Sequence, residues 1–246
     1  MHRSLALALV STLAVASAAL AADGRAGAKA SLVRADRVTT LRYVIDLSLT
    51  DVHGPAIRLH VRGMRGRRLL SVRLSESSSA PGAPAQRQSA IIDGPFLYEG
   101  SPNGVPVLGR IRWVRVPLAR LGPGPSVAST LRGLSPAPLL RVLDEWPGAR
   151  SGSASGTFRG TVAYDDPIVL TALSTLSRGV EFRDIRFVSR IGENGFVRSI
   201  LITGRTADGS RTLHVTAHLY AFGRPVDVTP PGEGTFVDEK LLGLAE

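Results

Sequence analysis

The 246-residue sequence contains no cysteine. That excludes disulfides, thiolate metal centres, iron–sulfur clusters, a cysteine nucleophile and lipid attachment through a cysteine. Lysine is almost missing: Lys29 and Lys240 are the only two among 30 basic residues. Aromatic residues make up 5% of the chain, with two tryptophans, Trp113 and Trp146, so stacking platforms for bases are scarce. Acidic side chains number 20, which leaves a formal net charge of +10. No apolar run beyond the first segment approaches the roughly 20 residues of a membrane-spanning helix. What is abundant is aliphatic: hydrophobic residues reach 43%, enough to build a core and too many for a disordered chain.

The positive charge is almost all arginine, and it is dispersed. Arg58, Arg62, Arg112, Arg186 and Arg198 alternate with apolar residues. This is the pattern of a solvated sheet face and of an arginine-rich, GC-rich composition. Only Arg62–Arg68 forms a compact cluster, and no nucleic-acid motif accompanies it. Nucleic acid is therefore not an expected partner, while a weak attraction to anionic membrane surfaces stays open.

Residues 1–21 read as a signal peptide. His2 and Arg3 precede the apolar run Leu5–Ala16, and Ala19-Leu20-Ala21 supplies the small residues of a cleavage site. Cleavage near Ala21 would release an exported, soluble chain with a mobile lead-in over residues 22–40. A single domain is expected over residues 41–240.

Strand signals dominate that domain. Tyr43, Ile45, Leu47 and Leu49 alternate with polar residues, as do Ile57, Leu59 and Val61, and then Leu70, Val72 and Leu74. A period of two is what a sheet buried on one face requires. Hairpin connections are expected at Asp51–Pro55 and Gly63–Gly66, and residues 75–89 read as a loop rich in Ser, Pro and Gly. Further strands are expected at Ser89–Ile92, Phe96–Tyr98 and Arg110–Val116, and through Phe158, Thr161 and Tyr164. A closing meander follows at Asp184–Ile191, Phe196–Thr203 and Thr212–Tyr220, with Leu213, Val215, Ala217 and Leu219 on one face of its last strand. Two helices interrupt the series. One starts at Ser135-Pro136 and carries Leu139, Leu140, Val142, Leu143 and Trp146. The other starts at Asp165-Asp166-Pro167 and carries Ile168, Leu170, Leu173 and Leu176. The pattern is an α+β arrangement, helices over one face of an antiparallel sheet.

No catalytic or metal-binding constellation assembles. His214 and His218 lie four apart on one strand with Thr216 between them, and His60 sits between Arg58 and Arg62, so a solvent-facing polar row explains all three. Asp165-Asp166 and Asp144-Glu145 are adjacent pairs, whereas acid–base work needs carboxylates facing across a cleft. Ser151–Gly156 lacks the G-x-S-x-G pattern and reads as a link. Neither enzyme chemistry nor a cofactor is expected.

The ending Leu219-Tyr-Ala-Phe-Gly-Arg-Pro-Val-Asp-Val-Thr-Pro-Pro231 resembles a closing segment of the actinobacterial lipoproteins of the LppX/LprG kind, which share the fold of the lipoprotein carrier LolA. Asp93-Gly94-Pro95 with Tyr98, Arg112–Val116, Pro138–Leu140 and Gly195-Phe-Val-Arg198 agree in order, so the resemblance covers roughly residues 40–238. It implies a strongly curved antiparallel sheet, an open half-barrel, with helices covering its concave face. It also implies a cavity between the layers that takes the acyl chains of a lipid or lipidated molecule. The lipid-modified cysteine of that group is missing here, which points to an untethered version, expected to be a monomer. Residues expected to line the cavity are Ile57, Leu59, Val61, Trp113, Leu139, Leu143, Leu170, Leu173, Leu213 and Val215. The alternative is a secreted structural or protein-interaction domain with a packed core and no ligand.

Overall fold

The fold is that of a computed structural model, which describes residues 38–66, 69–121, 150–151, 156–161 and 182–242. Among the described residues twelve strands form one sheet. Six run as a consecutive meander: β1 (Leu41–Asp51), β2 (Ile57–Arg65), β3 (Leu69–Ser78), β4 (Gln86–Asp93), β5 (Phe96–Gly100) and β6 (Trp113–Pro117). Five make a second: β7 (Arg150–Ser151), β8 (Thr157–Thr161), β9 (Phe182–Ile191), β10 (Val197–Thr206) and β11 (Arg211–Tyr220). The antiparallel β1–β11 pair joins the two, and the last strand, β12 (Phe236–Asp238), lies parallel to β6 at the far edge. The spatial order is β12-β6-β5-β4-β3-β2-β1-β11-β10-β9-β8-β7.

Alternation sets the two faces. Leu41, Tyr43, Ile45, Leu47 and Leu49 are buried while Arg42, Asp46 and Thr50 between them are exposed or half-buried. The register carries that parity into Leu59 and Val61 of β2 and into Leu213, Val215, Ala217 and Leu219 of β11. One face of the curved sheet is therefore apolar, termed the inward face below, and the other polar. The hairpin turns follow from local chemistry. At the β10–β11 turn Gly209 supplies φ +71°, and Asp208 accepts hydrogen bonds from the Thr206 hydroxyl and from the Ser210 amide and hydroxyl. Those donors, the Thr206 hydroxyl foremost, push the carboxyl down to about 2.

Several expected boundaries move. Residues 75–89 are not one loop, because β3 continues to Ser78 and β4 begins at Gln86. Backbone pairing of Ser75 with Arg87 and Glu76 with Gln86 is indifferent to the polarity of those side chains. Gly63 is not in a turn; it pairs with both Tyr43 and Val72 inside β2. β6 starts at Trp113, since Ile111 makes only a lone bridge with Leu108. Both expected helices, and with them Leu139, Leu143, Leu170 and Leu173, lie outside the described residues, as do the signal peptide and Tyr164. The only helical pieces among the described residues are 3₁₀ turns at Pro102–Gly104, Leu118–Arg120 and Glu239–Leu242. No described helix is long and apolar enough to cross a membrane.

Residues 221–235 cross the outer face from β11 to β12. Gly223 donates its amide to the Thr40 carbonyl at 2.9 Å, and Phe222 stacks on Phe196 with centroids 4.5 Å apart. Val228 then settles on Ile91 and Tyr98, beside Met64, Phe96, Trp113 and Phe236, which makes an apolar island on the outer face. Arg115 locks the end: its guanidinium lies over the Phe96 and Phe236 rings at 4.9 and 4.6 Å and grips Asp238 through two bonds of 2.6 and 2.9 Å. Hydrogen bonding from Arg115 holds the Asp238 carboxyl below its ordinary range. A carboxyl depressed in the folded state stabilises above its unfolded pKa and loses that contribution as pH falls through the folded value. Acidification below about pH 4 should therefore loosen β12, read as a shift in Trp113 emission in a Trp146→Phe background. Asp238→Asn should abolish the transition.

Candidate functional site

The inward face is the largest feature built from described residues. Register places Leu219, Tyr43, Gly63, Val72, Ala90 and Glu99 in one row across six strands. A second row runs Phe187, Ile202, Val215, Leu47, Leu59, Glu76 and Gln86. Leu41, Arg65, Leu70, Ile92, Leu97 and Val116 form a third. From β9 to β2 the floor is aliphatic and aromatic apart from Ser189 and Arg65; toward β3–β5 it acquires Glu76, Gln86, Gln88 and Glu99. Gln88 donates to Glu99 at 2.5 Å, yet burial still raises the Glu99 carboxyl above its usual range.

Two aromatic rings lie over glycines of the neighbouring strand. A Cβ on Gly63 would fall inside the Tyr43 ring, and one on Gly160 would collide with Phe187. Both glycines sit opposite those rings in register. Glycine is what lets a ring fold down onto the sheet, in place of standing up from it. Among the described residues the Tyr43 hydroxyl has no hydrogen-bond partner, and its burial raises its pKa well above the ordinary 10. Among those residues the hydroxyl of Ser189, fully buried on β9, and the buried Nη1 of Arg65 also lack a partner.

Of the sequence-expected lining residues, the structure gathers Leu59, Val61, Leu213 and Val215 on this face, all buried, with half-buried Ile57 at its end. It does not bring Trp113 to them. Trp113 packs on the outer face with Ile91, Tyr98 and Val228, its ring against Gly100. Sequence reasoning missed Tyr43, Arg65, Gln88 and Glu99. The parity of β1 and β2 held the signal for the first two, since Arg65 falls in step with Leu59, Val61 and Gly63.

The outer face holds the histidines. Register aligns Asp46, His60 and Ser75, a suggestive order for nucleophilic chemistry. His60 Nδ1 lies 2.5 Å from Asp46 Oδ1, and Arg62 Nε donates to His60 Nε2 at 3.0 Å. A general base needs that Nε2 lone pair aimed at a substrate proton, and Arg62 already takes it. An outer-face hollow of about 450 Å³, lined in part by Asp46, Arg58, His60 and His214, is thus a hydrogen-bonded polar surface. A second, of about 530 Å³, is lined by Arg186, Thr203, Gly204, Arg205 and Thr212. Among the described residues no three His, Asp or Glu side chains converge as metal ligands.

No model of a known protein family matches the chain, and no curated protein matches its sequence. Solved structures similar to it include LprF from Mycobacterium bovis, at 13% identity and a TM-score of 0.46, spanning 85% of this chain and 97% of LprF. A LolA superfamily protein from Nitrosomonas europaea is similar at 10% identity and a TM-score of 0.31, spanning 82% and 94%. A DUF1329 family protein from Desulfovibrio piger follows at 8% and 0.24, spanning 85% and 95%.

Proposed function

We propose that the chain is an exported carrier or binding protein for a lipid or other long apolar ligand, held against the inward face of the sheet. The observation that supports this is the extent of that face. Buried apolar side chains run without interruption from Phe187 on β9 through Val215, Leu47 and Leu59 on β2. Ile57, Leu59, Val61, Leu213 and Val215 form its floor, and the helices expected to carry Leu139, Leu143, Leu170 and Leu173 supply the cover. Acyl chains would be retained because each buried CH₂ contributes about 0.8 kcal/mol. Export follows from the expected signal peptide, and the chain works as one untethered domain over residues 41–240, without a catalytic step.

Native mass spectrometry of protein purified from a lipid-containing host, followed by organic extraction, tests this reading. A stoichiometric acyl-chain adduct is expected, lost when Leu139 or Leu170 is changed to Trp. A clean apo mass, with no uptake from mixed lipids, would replace it with a packed interaction domain.

A further inference from the structure

Arg65 breaks the logic of the inward face. Its register partners there are Leu41, fully buried, and Leu70, and it follows Leu59, Val61 and Gly63 in the same parity. Its Nη1 is buried, and among the described residues it has no hydrogen-bond partner and belongs to no ion pair. The rest of the arginine-rich strand pattern is outward: Arg58, Arg62 and Arg73 are exposed on the other face of the same strands. A guanidinium partly withdrawn from water without a counter-charge is costly, and an anion is the natural compensation. The second unpartnered group is its neighbour. The Tyr43 ring lies over Gly63, two residues before Arg65 on the same face and about 7 Å away along the strand. Its buried hydroxyl is a ready donor with nothing to donate to.

Along β1 and β2 the face beyond this pair is apolar, while Glu76, Gln88 and Glu99 lie on the neighbouring strands β3 to β5. From Arg65 back along β2 to Leu59 is six residues, roughly 20 Å of floor. That is close to the extended length of a hexadecyl chain. Buried Val61 and Leu59 line the way on β2, and Ala217 and Val215 on β11 flank it across β1. Resting on the carrier reading, we infer that the ligand is an anionic amphiphile. Its carboxylate or phosphate head is held by the Arg65 guanidinium and the Tyr43 hydroxyl, and its chain lies along β1 and β2 toward Leu59. The head is fixed by charge-assisted hydrogen bonds that an alcohol of the same length cannot form.

The test compares three probes on the delipidated mature chain by titration calorimetry: hexadecyl phosphate, hexadecanol and inorganic phosphate. Hexadecyl phosphate should bind at least about tenfold tighter than hexadecanol. Arg65→Gln should equalise the two by weakening hexadecyl phosphate about tenfold, and Arg65→Lys should keep part of the preference. Tyr43→Phe should weaken hexadecyl phosphate several-fold without lowering the melting temperature, because it removes an unpaired buried hydroxyl. Equal binding of both amphiphiles by the wild type, or a preference that survives Arg65→Gln, overturns the head-group assignment and leaves the carrier reading standing. Binding of neither amphiphile removes the carrier reading itself. Inorganic phosphate binding as tightly as hexadecyl phosphate would make this a free-anion site and overturn the inference too.

Discussion

Gly63→Ala should destabilise the protein by about 3 kcal/mol, the upper end of what overpacking a core costs. A single methyl group has this effect because of where it must go. The Cβ position at Gly63 is occupied by the Tyr43 ring, and the backbone there is clamped between β1 and β3 by register on both sides. Tyr43 is fully buried, so its ring can give way only by displacing packed neighbours. The cause can be isolated with a double-mutant cycle. Tyr43→Ala alone costs about 3–5 kcal/mol in lost packing. With Tyr43→Ala in place, adding Gly63→Ala should cost less than about 0.5 kcal/mol, a coupling of roughly 2–3 kcal/mol. Chemical denaturation of the four proteins measures it. Additive effects would mean that Gly63 is needed for its backbone alone.

Two adjacent positions on β11 should give opposite answers to one substitution. Ala217→Asp places a carboxylate on the fully buried inward face of a strand flanked by β1 and β10, with no cation in its row. The cost is of order 4 kcal/mol or more, a large share of the roughly 5–15 kcal/mol of a typical domain. His218→Asp puts the same group on the exposed outer face, opposite Val44 and Ser199, and should change stability by no more than about 0.5 kcal/mol. Thermal melts of the pair settle which face is the interior. Comparable losses at both positions would contradict the assignment of faces made here.

That assignment was legible in the sequence wherever polarity alternates cleanly. β1, β2 and β11 each state their parity several times over, and a slip of one residue would turn every leucine outward. β9 and β10 pair with register irregularities at Val197/Ser199 and Thr203/Arg205, so their parity breaks along the strand. Legibility failed where local composition and tertiary setting disagree. β6 reads Trp113-Val-Arg-Val116, and three apolar residues in four leave the parity of Trp113 undecided. It is settled by residues 221–235, which bring a second apolar cluster to the outer face from far along the chain. Gly63 reads as a turn because glycine usually does, and only the ring on the next strand explains it as a strand residue. Arg65 hides inside an arginine cluster that looks uniformly solvated, and Arg62 of that cluster is indeed exposed on the outer face. Polarity likewise concealed the ladder at Glu76–Gln86, since backbone pairing leaves no mark in side-chain character.

The crossing segment of residues 221–235 has a mechanical consequence. It leaves β11 on one side of the β1 pairing and rejoins the sheet at β12, seven inter-strand spacings away, roughly 34 Å across. Fifteen residues pulled straight reach about 50 Å. The slack is thus limited, and three pins shorten it further: Gly223 on Thr40, Val228 on Ile91 and Tyr98, and Asp238 on Arg115. Tighter curling of the sheet lengthens the path over its back and draws on that slack, so the curvature has a built-in upper limit. The inward face can close in only until the leash on its back is taut.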